Sequence, residues 1–480
     1  MNVRLPLILI CVAAWSATAQ VTPDAAESEV VATIGPHTIL ARDVLERIEL
    51  MPWPGKDRPF MRDSVMLQAT LSLVAEKLLS LRATFVGIGL DEESAARFAA
   101  LERALARDEL YRQEIAGKVT LSQEEASLAL GRFAVQIRCA VFAVRDEQDA
   151  RALVRELSAG KRGDGRMRIG VGRADTVTVS YGELARAHED VAYSLTRRLE
   201  ARVSFTPASG WLVLQLLDRR SNPASAALSV PDRAAAAEKL FRKRKQTELA
   251  AAYEDRYAAG IPTRMDSVLF TAVADTLLSL MRGNVDAHRK GKAFGVLEDD
   301  ILRLRRAFRA GEKRPFITHG RDTISLGGMI GAMVFHPIQT RSLGTGIFRE
   351  DLNRAMITVA EAELISTHEM QQHVNAHPDV RRDLGTWTEA WQTQELVRRI
   401  LDSARTAGRK DDPLNAYIAR LAAEYRVAID IPKVRQIPFT PVNVVTRRLL
   451  GFGGTLPAVP LLPHLWEWFP LWTRSRQIPP

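Results

Sequence analysis

The chain has two cysteines in 480 residues, and the first, Cys11, sits in an apolar stretch close to the N-terminus. Cys139 by itself can form no internal disulfide, so stability has to come from packed cores. The apolar run around Cys139 reads as a buried structural thiol. Histidine numbers nine, with none between His37 and His188. No zinc signature is present: His368, His373 and His377 cluster in THEMQQHVNAHPDV, but the spacing is not HExxH and no third ligand falls on the face shared by His373 and His377. Thr367 reads there as a helix cap and Pro378 as a stop. No phosphate-binding loop is visible, since GFGG at Gly451–Gly454 precedes no helical pattern. No nucleophile elbow with a Ser/His/Asp order occurs either. Neither a metal nor a cofactor is expected.

What is present begins with an export pattern. Arg4 gives a short positive region, Leu5 to Trp15 is apolar, and Ala17 and Ala19 lie three and one residues before a cut ahead of Gln20. The apolar stretch is too short to span a membrane, which needs about 20 residues. Ile10 before Cys11 argues against lipid attachment. Residues 1–19 therefore read as a signal peptide, and a periplasmic or other extracytoplasmic location is expected. The net charge is +9, spread along the chain with acidic residues interspersed. The one dense run, Arg242-Lys243-Arg244-Lys245, reads as a solvated helix face. Nucleic acid is a poor partner for an exported protein; acidic clients or an anionic membrane surface fit the charge better.

Residues 20–134 read as a mostly helical N-terminal domain. A strand-turn-strand, VATIGPHTILA, opens it. Leu67, Leu71, Val74, Leu78, Leu81 and Phe85 then recur at steps of three and four, one face of a helix. Ser122 with Glu125 makes a capping box. The pattern changes over 135–221, where the strand-like VQIRCAVFAV, a helix, TVTVSY, a second helix and GWLVLQLLDRR follow one another. Residues 222–435 return to helices after a linker at 222–230. Within them FITHGRDTISL resembles the opening VATIGPHTILA, with Thr38-Ile39 falling on Thr323-Ile324 at an offset of 285, which predicts one strand-turn-helix unit used twice. Residues 436–480 form a tail holding eight of the 23 prolines and three of the eight tryptophans. The fold class expected is α+β: a helical body carrying a small inserted β-α sheet module.

Three pieces of 135–221 resemble the parvulin (PpiC-type) peptidyl-prolyl isomerases. They are IRCAVFAV followed by a helix ending in LSAG, then LARAHEDVAYSL, then SGWLVLQLLDRR. The resemblance implies a four-stranded sheet with a proline-binding cleft. It also implies that the helical flanks pack together as a client-binding body, as in exported foldases. Isomerisation rotates an amide over a barrier of about 20 kcal/mol, and an enzyme achieves it by binding the twisted form better than the planar ones. The family is thought to do so with two hydrogen-bonded histidines. Here the first falls on Val141 and the second on Leu212, directly after Trp211. The pocket Met falls on Leu184 and the pocket Phe on His188. The loop between Gly160 and Tyr181 offers no match for the family's Cys or Asp. Val141, Leu184, His188, Trp211 and Leu212 are thus expected to form a degenerate pocket with no catalytic residue.

The leading expectation is a foldase-type chaperone that binds unfolded secreted or outer-membrane proteins, with isomerase activity lost. The alternatives are an isomerase working through an altered pocket, and a structural adaptor of an envelope complex. The aromatic tail Leu465–Trp472 is expected to pack on its own chain, or to meet a membrane surface or a partner.

Overall fold

The computed structural model describes residues 28–158, 175–206, 209–258, 263–367, 371–408 and 412–477. The protein is α+β and mostly helical, with several small antiparallel sheets. It divides into two compact units, one made of residues 1–112 with 258–480 and the other running from Gln113 to Tyr257.

The first unit opens with strands β1 (Val30–Ile34) and β2 (His37–Leu40), then helices α1 (Ala41–Leu50), α2 (Arg62–Phe85) and α3 (Glu92–Glu114). The resemblance between the chain's opening and Phe316–Leu326 is structural as well as sequential. In the first hairpin Ala32 faces Ile39, Thr33 faces Thr38 and Ile34 faces His37. In the second, 285 residues on, Ile317 faces Ile324, Thr318 faces Thr323 and His319 faces Asp322. Each has one register irregularity, between Val30 and Ala32 and between Pro315 and Ile317. Gly35 and Gly320 occupy the same turn position with φ of 55° and 60°, a left-handed backbone that glycine adopts without steric cost. Each hairpin also gains a third antiparallel strand, Ala428–Ile429 on the first and Thr263–Met265 on the second.

The N-terminal core is completed from the far end of the chain. Val31, Ile34, Val44, Met66, Val74 and Leu78 are buried together with Ile418, Leu421, Val434, Trp468 and Trp472. The stretch Pro59–Phe85 is long and apolar enough to cross a membrane, but 67% of its most apolar window is buried inside the unit, as a core helix would be. A second cluster gathers Val273, Leu277, Phe316, Ile330, Phe348 and Met356 around the second hairpin.

Three expectations about the C-terminal half need correction. Thr367 does not cap a new helix; it ends the Thr345–Thr367 helix. Pro378 does not stop a helix; it is the first residue of the Pro378–Thr406 helix, capped by the His377 side chain. Proline is well placed there, because its missing N–H is one the first helical turn leaves unpaired anyway. His373 lies on the separate Gln371–Val374 turn of helix, so it does not share a face with His377. The tail also docks on its own chain: Leu465, Trp468 and Trp472 are buried, the Leu465 N–H donates to Ser72 Oγ (3.0 Å), and Trp468 Nε1–H donates to the Leu71 carbonyl (3.3 Å). Of Leu465–Trp472, Leu471 is the large apolar side chain left exposed.

The second unit is built on a four-stranded antiparallel sheet. Its strands are β3 (Val135–Val144), β4 (Asp175–Val179), β5 (Ala201–Thr206) and β6 (Gly210–Ser221), in the order β4-β3-β6-β5. Helices α4 (Gln123–Phe133), α5 (Glu147–Ser158), α6 (Arg186–Ser194), the short α7 (Pro223–Ala226) and α8 (Val230–Ala258) surround it. One face packs under α5, with Ala140, Phe142, Leu153, Leu157 and Val213 in its core. The other packs under α6 and also buries Ala129 and Phe133 of α4 and Ala237 and Phe241 of α8. That shared core makes the compact unit longer than the strand-bearing span 135–221. The thiol of Cys139 lies in the same core, where burial pushes its pKa up to about 11.

Candidate functional site

The site expected from sequence lies in the second unit, and the strand register decides which of its residues meet. Val141 of β3 faces Leu214 of β6, and Ala143 faces Leu212. Residues directly opposite in an antiparallel pair share a face, and faces alternate along each strand. Val141 and Leu212 are therefore diagonal neighbours on one face. It is the α6 face, since Val141, Leu214 and Leu184 all pack into the cluster with Ala192, Tyr193 and Leu195 of α6. Ser204 of β5 faces Leu212 and joins the same side. Trp211 goes to the opposite side: it faces Phe205 and Val144, and its ring lies 4.6 Å from that of Phe205. Four of the five expected residues thus share the α6 face, and Trp211 packs with the α5 core.

His188 is on the first turn of α6 and is buried. Both ring nitrogens are engaged by hydroxyls. Ser204 Oγ donates to the Ala187 carbonyl (3.2 Å), so it accepts from Nδ1–H at 2.6 Å. That assignment leaves Nε2 to accept from the Ser209 hydroxyl at 2.5 Å, with Thr206 Oγ1 also near at 3.4 Å. Thr206 in turn bonds Ser209 and accepts its N–H (3.1 Å). Burial lowers the His188 pKa, so the imidazole is neutral at pH 7 and bonded on both sides. Ser204, Thr206 and Ser209 escaped the sequence reading. Their one trace is the alternation of Ser204 and Thr206 on a strand face, which has meaning only once β5 is placed beside α6.

Beside the histidine lies a buried ion cluster. Glu189 is fully buried. It accepts the Gly182 N–H at 2.7 Å and pairs with Arg244 of α8, and Arg132 of α4 reaches it at 3.9 Å while bonding Asp190. Burial pushes the Glu189 pKa upward, and the Gly182 N–H and both guanidinium groups pull against that shift. The run Arg242–Lys245 is accordingly not a plain solvated face. Arg244 pairs with Glu189, Arg242 donates to the Val119 carbonyl (3.2 Å), and Lys245 donates to the Thr120 carbonyl (2.9 Å) and to Glu125. Only Lys243 keeps the expected role, because a helix packed along one side brings the other three members of the run within reach of neighbouring elements.

The histidines weighed for metal binding are placed differently. In the first unit Glu109, His377 and Asp379 bring ligand atoms within 4.8 Å of one another. Arg112 supplies the local positive charge, 2.9 Å from Glu109 and 3.9 Å from Asp379. His377 Nδ1 accepts the Asp379 N–H as a helix cap (3.4 Å). Arg112 and the cap bond thus compete with a cation for these atoms. His368 lies outside the described residues, as do the signal segment 1–19 and residues 159–174 of the loop expected to lack the family's Cys or Asp.

Chemically, the α6 face of the sheet offers an apolar floor, Val141 with Leu212 and Leu214, and a neutral imidazole held at its side. No family model matches the sequence, and no curated protein matches it. Among solved structures the chain is similar to the foldase protein PrsA from Streptococcus pneumoniae, at 14% identity over 47% of this chain and 91% of that one, with a TM-score of 0.19. It is likewise similar to the peptidylprolyl isomerase PrsA from Bacillus cereus, at 14% identity over 50% of this chain and 95% of that one, also with a TM-score of 0.19. A TM-score of that size does not establish a shared fold.

Proposed function

We propose that this chain is a polypeptide-binding chaperone of the cell envelope, whose strand-bearing unit is a parvulin-like module without isomerase chemistry. One observation carries this reading: the two positions where the resemblance puts facing histidines are Val141 and Leu212, diagonal neighbours on one sheet face. An apolar floor can hold a side chain by burial, at roughly 25 cal/mol per Å². It has no group to stabilise an amide that has lost its resonance. Clients would be unfolded secreted or outer-membrane proteins, and the expected export signal places the encounter outside the cytoplasm.

The test uses the full chain. Stoichiometric amounts should suppress aggregation of a urea-diluted outer-membrane barrel protein without nucleotide. A proline-limited refolding assay should show no acceleration. A second reading, an isomerase working through His188, is favoured by the position of that ring on the α6 face. Acceleration in the same assay that disappears in His188→Ala would replace the first reading with the second.

A further inference from the structure

Strand β5 lies at one edge of the second unit's sheet, and among the described residues no strand pairs with its outer side. It begins in a bulge. The Leu199 N–H donates to the Leu216 carbonyl (2.7 Å), and the Leu216 N–H donates back to the Glu200 carbonyl (2.9 Å). Two residues of one strand thus oppose one of the other, and the first of them, Leu199, has a φ of 66°. Glycine is the residue suited to that bulge position. A leucine there is strained, and half of it is exposed to solvent (50%). Backbone strain held at an exposed apolar residue points to a use for that residue.

The bulge also fixes which backbone groups are free. Bonded and non-bonded pairs alternate along an antiparallel ladder. Counting from the pair with Leu216, residues Arg202, Ser204 and Thr206 bond to β6. Ala201, Val203 and Phe205 then turn their N–H and C=O groups outward. Phe205, beside Trp211, is 44% exposed. Just before the strand, Arg197 and Arg198 are exposed, and neither has an acidic partner among the described residues. Arg202, by contrast, is paired with Glu200.

We infer that the open edge of β5 takes an extended polypeptide segment as an added strand, with apolar contacts at Leu199 and Phe205 and acidic residues drawn to Arg197 and Arg198. A row of alternating donors and acceptors is matched by an extended backbone of almost any sequence, which suits a holder of many clients. The inference rests on the chaperone reading and names where the client is held.

The full chain is titrated against fluorescently labelled, reduced and carboxymethylated lactalbumin, an acidic chain that stays unfolded, with anisotropy as the readout. In Val203→Pro the lost N–H is one that points outward, so the ladder to β6 keeps its bonds while an added strand is blocked. Leu199→Gly relaxes the bulge and removes the apolar side chain. Both are expected to weaken binding by about tenfold with unchanged far-UV circular dichroism, and Arg197→Glu with Arg198→Glu to weaken it further. If Val203→Pro does not fold, Leu199→Gly and Phe205→Ser decide. Binding of the probe that is equal in the wild type and in these variants overturns the edge site and leaves the chaperone reading standing. Loss of a dimer in Val203→Pro with probe binding unchanged also overturns it, in favour of a second copy at the edge. No binding by the unaltered chain overturns both.

Discussion

Replacing Glu189 by Ala should detach the flanking helices of the second unit from its sheet. The Gly182 N–H (2.7 Å) would lose its acceptor, and because Gly182 itself is exposed water takes its place, so that loss costs only about 0.5–1.5 kcal/mol. Arg132 keeps Asp190 at 2.5 Å. Arg244 is left with Glu248 at 3.7 Å and with the face of Tyr181, 5.9 Å away. Breaking one partner out of a buried ion pair costs about 3–5 kcal/mol. Because Arg132 stays paired, the total falls in that same range, not above it. Glu189→Gln keeps an acceptor for Gly182 and should cost about half as much. The apolar core under α5 contains none of these groups, so the damage is local. Hydrogen exchange of the full chain should show lost protection in α8 around Phe241–Lys245, with β3 and α5 retained. Full protection of α8 in Glu189→Ala would refute the claim that the ion cluster fastens α8 to the module.

Three further outcomes follow from buried groups. His336 accepts from Arg107 at 3.4 Å, and burial next to that guanidinium lowers its pKa to about 4. The unfolded chain takes up the proton below pH 6.5 while the folded chain resists until about 4, so stability present above 6.5 is lost as pH falls through this window, by about 3 kcal/mol in all; urea midpoints at pH 7 and 4.5 should differ less in His336→Gln. Cys139 is fully buried with its pKa raised to about 11, so iodoacetamide should leave it unmodified in the native chain and alkylate it in urea; native alkylation at the unfolded rate would contradict its placement. Trp468 is fully buried and bonded through Nε1, and Trp468→Ala should cost about 3–5 kcal/mol in denaturant unfolding, whereas a change below 1 kcal/mol would mean the tail is not part of the core.

The Pro378 correction and the Arg242–Lys245 correction have one physical source. Sequence reads each residue against its chain neighbours: a proline after a helical run as a stop, a run of cations as a wet face. In the fold, Pro378 is the start of the next helix, and Arg244 points at a carboxylate 55 residues away in sequence. The hydroxyl web around His188 was hidden for the same reason, since Ser204, Thr206 and Ser209 become partners of the ring only when β5 lies beside α6.

Local chemistry along the chain was enough to give the apolar strands β3 and β6, the helix α2, the Ser122–Glu125 cap, the two related hairpins and the absence of a histidine at position 141. Each of these depends on side-chain period or on residue identity, and both are written in the sequence. Tertiary structure alone decided that the N-terminal core is closed by Trp468 and Trp472, that Leu212 and not Trp211 shares a face with Val141, and that β5 is left with an open edge. Those outcomes depend on which distant segments pair and in what register, and a one-residue difference in register reverses every face.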